Sequence, residues 1–529
     1  MAASVRDVLL APQLAPSQVD SLLRPFRFRD PVAADRNLQA IAEDPTARGL
    51  LADILEELLR CLASSPDPDA ALNHLERFVK ASGGTLALLS HLRANPRAID
   101  MLARTFGSSS FMAEILIRHP AWFYWLSDPE VLGHARTRDH IERDLDGALA
   151  GLQSESRQRD LLRITRRRET LHIGVRDLLR LSTVPETGTA LSGLAEALID
   201  RALRTSDAAL RQDLGLPLPA AASGAAGSAD SAGLVVLGMG KLGGGDLNFS
   251  SDVDLVYVYG SDRGRIARGA TALARPEFFR AMALRLTAAL TETTAEGYVY
   301  RVDLRLRPEG RVGPLAQSLA ACAQYYRGRG TTWERLALLK ASPVAGDAAL
   351  GGRFLERVRP FVYGRPFGSD EVAEVRRIKR EIDRKIAARD ETHRNVKLGT
   401  GGIREIEFVA QALQARHGRR HPRLRERNTL GALAALQERG LLSTEERQTL
   451  GDAYVFLRDV ENKLQMVADA QTHSLPEAPD ELRLCALRLG YRDESGLPAG
   501  ERLLRDHREH RQATHRVFED VFEGARFAG

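Results

Sequence analysis

Two aspartates in one short run of the chain are spaced as a pair of metal ligands would be. Residues 234–259 combine an apolar segment, a glycine cluster and a strand-like run in which Asp252 and Asp254 alternate with apolar residues. Successive side chains of a strand point to opposite faces, so both carboxylates share one face. Carboxylates placed this way can hold Mg²⁺, which also accepts phosphate oxygens as ligands. A strand end with solvated aspartates is the simpler alternative, and the neighbouring glycines argue against it.

The glycine cluster before these aspartates indicates a backbone that binds an anion. Glycine lets backbone N–H groups approach an anion closely, and a lysine adds a compact positive charge. We therefore expect phosphate groups of a nucleotide to be bound by Gly240, Lys241, Gly243, Gly244 and Ser251.

Two other kinds of glycine loop fit this run less well. Gly238 to Gly243 matches the dinucleotide-binding pattern G-x-G-x-x-G, but no full helix separates it from the next strand. The phosphate-loop pattern also fails, because no Gly-Lys-Ser/Thr follows the glycines. The remaining match is the nucleotidyltransferase layout, in which a glycine turn leads into an Asp-x-Asp strand and a neighbouring strand supplies a third carboxylate.

A second strand with one charged face is predicted over residues 297–308. Its apolar residues Tyr300, Val302, Leu304 and Leu306 alternate with Arg301, Asp303, Arg305 and Arg307. Taken alone, the charged face could be a ladder of salt bridges. Beside the Asp-x-Asp strand, Asp303 is expected to complete a metal triad, and Arg305 or Arg307 to bind phosphate oxygens with two hydrogen bonds. The helical pattern from Arg275 to Thr294 predicts a helix packed on the same sheet.

Lysine is rare in this arginine-rich chain, and three of its lysines, Lys241, Lys340 and Lys397, fall in the segments that carry the motifs. A lysine in such a chain indicates a site that needs a compact ammonium group. Lys340, on a predicted helix, is the best candidate for a ligand-binding residue there. Further on, Gly401-Gly402 precedes another helix and could form either an anion site or a tight structural turn.

Four segments in order, 238–255, 300–308, 333–341 and 397–408, resemble the glutamine synthetase adenylyltransferase/adenylyl-removing enzymes of the nucleotidyltransferase superfamily. Members of that family usually carry two such units in tandem, the first removing AMP from a tyrosine of glutamine synthetase and the second attaching it. Two segments of this chain resemble the first unit: Asn-Phe-Ser-Ser, just before the aspartates, and Gly-Gly-Ile-Arg-Glu-Ile-Glu-Phe, at 401–408. No second Asp-x-Asp loop follows Phe408.

The resemblance implies a catalytic site with Mg²⁺ held by Asp252, Asp254 and Asp303. It implies ATP, ADP and phosphate as small ligands, glutamine synthetase as protein substrate, and a PII signal protein as a further candidate partner. The expected reaction is phosphorolytic removal of AMP from the tyrosine, with ADP as product. Two alternatives stay open: ATP-dependent attachment of AMP at the same site, and a noncatalytic module that binds glutamine synthetase or a PII protein.

The spacing of apolar residues predicts a mostly α-helical chain around one α/β core. The resemblance implies that this core is of the polymerase-β-like kind. The expected parts are an N-terminal helical region over 1–216, a flexible Ala/Gly/Ser linker over 217–233, a mixed-sheet nucleotidyltransferase domain over 234–345, and a C-terminal helical bundle over 346–529. A length of 529 residues fits two or three domains.

Charge, apolar segments and cysteines indicate which partners and which compartment to expect. The net charge of +5 is small against 75 basic and 70 acidic residues, and the charges are interspersed, so no nucleic-acid partner is expected. No segment is apolar enough for a membrane span and no signal peptide is evident, which predicts a cytoplasmic protein. The three cysteines, Cys61, Cys322 and Cys485, are far apart and are expected in the core.

Overall fold

The computed structural model describes residues 4–11, 14–216, 233–268, 271–494 and 496–527. These residues are mostly helical and include one small mixed sheet, which confirms the predicted fold class. Apart from Gly233, the predicted linker over 217–233 lies outside the described residues.

Helices fill the chain before the sheet, and several begin at a proline that follows an aspartate. The Asp30, Asp44 and Asp67 carboxylates accept backbone N–H groups of the first helical turn, and proline fits there because that position needs no N–H donor. The helices are α1 (Asp7–Leu10), α2 (Pro16–Leu23), α3 (Pro31–Ile41), α4 (Pro45–Ser64), α5 (Pro68–Ser82), α6 (Thr85–Ala94), α7 (Pro96–Ser108), α8 (Ser110–Arg118), α9 (Trp122–Leu126), α10 (Pro129–Gly133), α11 (Arg138–Leu149), α12 (Glu155–Leu178) and α13 (Val184–Asp213).

The later part of the chain alternates short strands with helices and then becomes helical. The strands are β1 (Leu234–Gly238), β2 (Val253–Tyr259), β3 (Arg265–Arg268), β4 (Thr271–Ala274), β5 (Val302–Asp303), β6 (Ala316–Ser318) and β7 (Ser342–Gly346). The helices are α14 (Gly240–Gly243), α15 (Arg275–Thr291), α16 (Leu319–Gly328), α17 (Thr332–Leu338), α18 (Ala348–Tyr363), α19 (Ser369–Ala387), α20 (Ile403–His417), α21 (Thr429–Glu438), α22 (Thr444–Gln465), α23 (Pro479–Arg488) and α24 (Ala499–Glu523). Short 3₁₀ helices span Arg24–Phe26, Pro422–Leu424 and Ala525–Phe527.

The main sheet has the strand order β5-β2-β1-β7. Strand β1 pairs antiparallel with both β2 and β7, whereas β5 and β6 each pair parallel with β2. Strands β3 and β4 form a separate antiparallel pair. Helix α15 packs on the sheet as predicted, because the Phe279 ring stacks on Tyr259 with centroids 4.7 Å apart. All residues of β1 and all but one of β2 are buried.

The strand predicted over 297–308 is mostly wrong, since only Val302–Asp303 forms a ladder. The alternation of apolar and charged side chains is compatible with a strand. A strand, however, also needs a neighbouring strand with free backbone groups to pair with. Val302 and Asp303 pair with the first two residues of β2, and β6 occupies the edge from Tyr257 onward. The chain therefore leaves the sheet after Asp303 and returns at β6. The predicted alternation is broken as well, because Arg307 is buried.

The chain divides into two compact units that are each discontinuous in sequence. The first comprises Met1–Ala135, Arg167–Thr187 and Asp459–Asp506 and is helical where it is described. Edge-to-face contacts among Phe78, Phe106 and Phe123 lie in its core, with centroids 5.6–5.7 Å apart. Its buried Lys463 ammonium pairs with Asp177 and, at 3.1 Å, with Asp459.

The second unit comprises Arg136–Arg166, Gly188–Arg458 and His507–Gly529, and it contains the sheet. The predicted domains are consecutive segments, so the boundaries at 216, 233 and 345 remain predictions.

The three cysteines are buried free thiols, as expected for core residues. None of the described helices is both long and apolar enough to cross a bilayer.

Candidate active site

The register of β2 and β5 brings two of the predicted carboxylates together. Asp254 is directly opposite Asp303 in the parallel pair. Burial is the main reason that the pKa of Asp254 rises from 3.8 to about 6, and the negative charges of Asp303 and Asp252 add to the rise. Lys397 and Arg305 act in the opposite direction. Asp252, Asp254 and Asp303 therefore form one electrostatic cluster.

Two members of the cluster are paired with arginines. Asp252 accepts a hydrogen bond of 2.7 Å from Arg301 Nε, and Arg301 also donates to the Ser250 carbonyl at 2.7 Å. Asp303 accepts from Arg305 Nε at 2.7 Å and from the Arg305 backbone N–H at 2.8 Å. Burial raises the pKa of Asp303, but the hydrogen bonds from Arg305 outweigh it, so the pKa is lowered.

These arginine contacts occupy two of the three carboxylates predicted to bind a metal ion. Across the described ranges, no three His, Cys, Asp or Glu side chains are grouped in a way that could hold a metal ion. The structure brings the three carboxylates near one another, with two of them turned towards guanidinium groups. The triad as a set of metal ligands remains a prediction.

The glycine turn packs directly against Asp254. Helix α14 begins at Gly240, whose φ of +53° falls in the left-handed region. A Cβ atom there would lie 2.9 Å from Asp254 Oδ2. At Gly243 a Cβ would lie 2.0 Å from the Lys340 carbonyl oxygen and 2.4 Å from that of Gly238. The backbone of the turn thus fits between the carboxylate cluster and the segment that leads into β7.

Side chains within the turn bond to one another. Lys241 Nζ donates to Asn248 Oδ1 at 2.5 Å, and the Asn248 backbone N–H donates to Ser251 Oγ at 3.2 Å. Gly244 is buried, and a Cβ there would lie 3.1 Å from the Arg427 carbonyl oxygen. The predicted phosphate-binding residues from Gly240 to Ser251 therefore belong to one closely packed turn.

Lys340 lies in a buried ion pair with Glu407. Its side chain is only 6% exposed, and its ammonium donates to Glu407 Oε1 at 2.8 Å and to Thr429 Oγ1 at 2.9 Å. Burial raises the pKa of Glu407, but the charge of Lys340, followed by that of Arg404, outweighs it and lowers the pKa to about 2. These contacts assign Lys340 a structural pairing.

The same buried region holds the end of the glycine turn. Asp246 accepts from Asn428 Nδ2 at 2.8 Å and from Tyr454 Oη at 3.2 Å, and it lies 3.9 Å from Lys340 Nζ. Arg458 donates to Asn248 Oδ1 and to the Asp246 carbonyl. We call this set the Asp246 network; its members are Asp246, Asn248, Lys340, Glu407, Asn428, Tyr454 and Arg458. It ties the turn to helices α20 and α22 and to the start of α21.

Arg307 supports a loop instead of extending towards the carboxylates. Its guanidinium donates to the carbonyls of Leu304 at 2.7 Å, Arg311 at 3.1 Å and Gly313 at 3.0 Å. A further bond of 3.2 Å reaches the Pro314 carbonyl. We call residues 304–314 the Arg307 loop. Arg305, in contrast, stays at the surface beside Asp303.

Sequence reasoning left Lys397 and Arg301 out of the site. Lys397 lies close enough to Asp254 to lower its pKa, and Arg301 bonds Asp252. The rarity of lysine was the available signal for Lys397. The Gly401-Gly402 pair fits the structural alternative, because a Cβ at Gly401, where φ is +72°, would lie 2.0 Å from the Arg511 carbonyl oxygen.

The site therefore gathers three carboxylates and several fixed cations around a glycine turn. Carboxylate oxygens are ligands of divalent cations in general, and ammonium and guanidinium groups bind phosphate oxygens. This combination is typical of chemistry at a phosphorus centre.

Two family models match the chain. The model described as glutamate-ammonia ligase adenylyltransferase matches residues 99–357, which include the glycine turn and the three aspartates. The model described as GlnD PII-uridylyltransferase matches residues 375–522, which include Lys397 and Glu407.

Several curated bacterial proteins are similar to this chain, and each is named bifunctional glutamine synthetase adenylyltransferase/adenylyl-removing enzyme. The protein from Nitrosococcus oceani is 38% identical over 426 residues, which cover 80% of this chain and 42% of the relative. The one from Xanthomonas axonopodis pv. citri is 45% identical over 336 residues, or 64% of this chain and 35% of the relative.

The chain spans about two fifths of the length of the curated relatives it matches. The adenylyltransferase family model and these relatives agree on a nucleotidyltransferase. The chain belongs to the glutamate-ammonia ligase adenylyltransferase family of nucleotidyltransferases.

Proposed function

We propose that this chain removes AMP from an adenylylated tyrosine of glutamine synthetase, with inorganic phosphate as the acceptor and ADP as the product. The observation that carries the proposal is the cluster of Asp252, Asp254 and Asp303 against the glycine turn. The printed name of the relatives includes the adenylyl-removing activity. The segments that resemble the first, adenylyl-removing unit of the family support this direction.

The carboxylates also support Mg²⁺ as the cofactor. The raised pKa of Asp254 reflects burial and the nearby negative charges of Asp303 and Asp252, and a divalent cation would compensate that charge. All three side chains offer the hard oxygen ligands that Mg²⁺ prefers. Asp252, Asp254 and Asp303 would hold the ion, which would neutralise phosphoryl oxygens and so favour attack at phosphorus.

In the proposed reaction, an oxygen of inorganic phosphate attacks the phosphorus of the AMP group. A new P–O–P bond forms, the bond from phosphorus to the tyrosine oxygen breaks, and the tyrosine oxygen takes up a proton. Lys241, Arg305 and Lys397 supply positive charge around the carboxylate cluster. Their contribution would be to bind and orient the phosphate groups, since catalysis of this kind rests on positioning and electrostatics.

Forward transfer is the second candidate, because the printed name of the relatives also includes adenylyltransferase activity. There the tyrosine hydroxyl would attack the α-phosphorus of ATP and pyrophosphate would leave. The same carboxylates and cations could serve both directions.

Two parallel reactions separate these candidates. The purified chain is incubated with adenylylated glutamine synthetase, Mg²⁺ and ³²P-labelled phosphate, and separately with unmodified glutamine synthetase and ATP labelled at the α-phosphorus. We expect label in the β-phosphate of ADP in the first reaction. Label that enters only the protein of the second reaction would overturn removal in favour of attachment.

A further inference from the structure

The Arg307 loop is braced in a way that fixes the position of its tip. Arg307 bonds backbone carbonyls on both sides of the tip. The Glu309 carboxylate pairs with Arg329 at 2.6 Å, which anchors the loop to the end of α16. Gly313 is packed so closely that a Cβ would lie 2.3 Å from the Pro308 carbonyl oxygen. Arg307, Glu309 and Gly313 therefore fix this short loop at three positions.

The tip presents an apolar side chain beside cations. Val312 is 92% exposed, more than any other large hydrophobic residue in the described part of the chain. Arg311 is exposed next to it, and its positive charge acts on Asp303. Single exposed apolar residues are common on proteins. Val312 differs because a buried arginine holds its loop in place and because the loop follows a carboxylate of the proposed site.

We infer that the Arg307 loop is a docking element for the protein substrate; this inference rests on the proposed function. Its occupant would be a polypeptide segment next to the modified tyrosine, with an apolar side chain against Val312 and an acidic side chain towards Arg311. Charge complementarity supports an acidic side chain in this segment, since Arg311 is exposed directly beside Val312. A phosphate group gains nothing from Val312, whereas an exposed valine can be desolvated by a protein partner.

The test separates recognition of the protein from chemistry. The variants are Val312→Asp, which places a charge at the tip, and Val312→Ile, which keeps an apolar side chain. Val32→Asp is the matched control, because Val32 is another exposed valine, at 57%, in the first compact unit. For each full-length variant we would measure kcat and KM for adenylylated glutamine synthetase, the Kd of ADP with Mg²⁺, and the melting temperature.

We expect Val312→Asp to raise KM for the protein substrate about tenfold, as for loss of one apolar anchor. Its kcat, ADP affinity and melting temperature should stay close to wild type, and Val312→Ile and Val32→Asp should behave like wild type. An unchanged KM in Val312→Asp, or equal losses in kcat and ADP affinity, would overturn the docking role. A wild-type chain that releases no ADP would instead refute the proposed function itself.

Discussion

At the scale of single residues, the pairing of Glu407 with Lys340 makes a prediction about acid stability. The folded-state pKa of Glu407 is about 2, below its ordinary value of 4.5, because the charges of Lys340 and Arg404 outweigh the effect of burial. A depressed folded pKa contributes stability that is full above the unfolded value and is lost as pH falls towards the folded value. We therefore expect part of the free energy of unfolding to disappear between pH 4.5 and 2.

Urea unfolding at a series of pH values checks this prediction. The Glu407→Gln variant should be less stable than wild type at neutral pH, because it removes the nearer of the two carboxylates beside the buried Lys340 and leaves only Asp246 at 3.9 Å. Its stability should then depend less on pH below 4.5 than that of wild type. Parallel pH profiles for the two proteins would show that Glu407 is not the source of the effect.

The lysines show what the sequence could and could not indicate about single residues. Their rarity, with Lys241, Lys340 and Lys397 in the motif segments, predicts sites that need a compact ammonium group. Lys340, Lys379 and Lys463, however, are each buried in ion pairs with carboxylates, to Glu407, Glu405 and Asp177. Spacing along the chain cannot distinguish a buried ion pair from a ligand-binding site, since the difference depends on a partner far away in sequence.

At the scale of elements, the glycine turn depends on close backbone packing. A Cβ at Gly243 would clash with the carbonyl oxygens of Lys340 and Gly238, neither of which is the end of a flexible side chain. We expect Gly243→Ala to destabilise the protein by at least about 2 kcal/mol, as for overpacking a filled site, and to abolish turnover.

The matched control is Gly352→Ala, in the middle of α18. No atom lies within 4 Å of a Cβ placed there, so alanine should leave activity intact and stabilise the helix by up to about 1 kcal/mol. Urea midpoints and nucleotidyl-transfer rates of both variants check the pair. Equal stability of Gly243→Ala and wild type would contradict the packing described for the turn.

Some of the strands and turns could be predicted from the sequence, and others could not. The Asp-x-Asp strand and the glycine turn could be predicted because apolar periodicity and turn residues are local signals. The segment 297–308 has an equally clear alternation, yet only two residues join the sheet. The Arg307 loop that replaces the rest depends on hydrogen bonds from one buried guanidinium to backbone carbonyls. No local pattern specifies such contacts.

At the scale of the whole molecule, the helical region after β7 is part of the support for the site. The Asp246 network joins the glycine turn to Glu407, Asn428 and Arg458, and the second compact unit includes residues 188–458. Periodicity and composition predicted the helical content and the α/β core. They could not reveal that a compact unit would combine distant segments, because that depends on long-range contacts.

A fragment of residues 188–345 should therefore not fold by itself. It would retain Lys340 and Asp246, whose charged atoms lie 3.9 Å apart, but it would lose Glu407, Tyr454 and Arg458, which supply their shorter contacts. We expect the fragment to aggregate or to show no cooperative thermal transition by circular dichroism, with the full chain as the control. A soluble fragment that melts cooperatively would favour an autonomous domain within 234–345.

The central claim is that Asp252, Asp254 and Asp303 carry out nucleotidyl transfer, and Asp254→Asn tests it most directly. The measurement is the rate at which ³²P from inorganic phosphate enters ADP when the chain acts on adenylylated glutamine synthetase with Mg²⁺. We predict labelled ADP from wild type and from the control Asp452→Asn, an exposed aspartate of α22. Asp254→Asn should lower this rate at least about a hundredfold and leave the melting temperature unchanged. A loss of that size exceeds what is typical of residues that only support the metal ligands. A rate retained by Asp254→Asn, or no labelled ADP from wild type, would contradict the account.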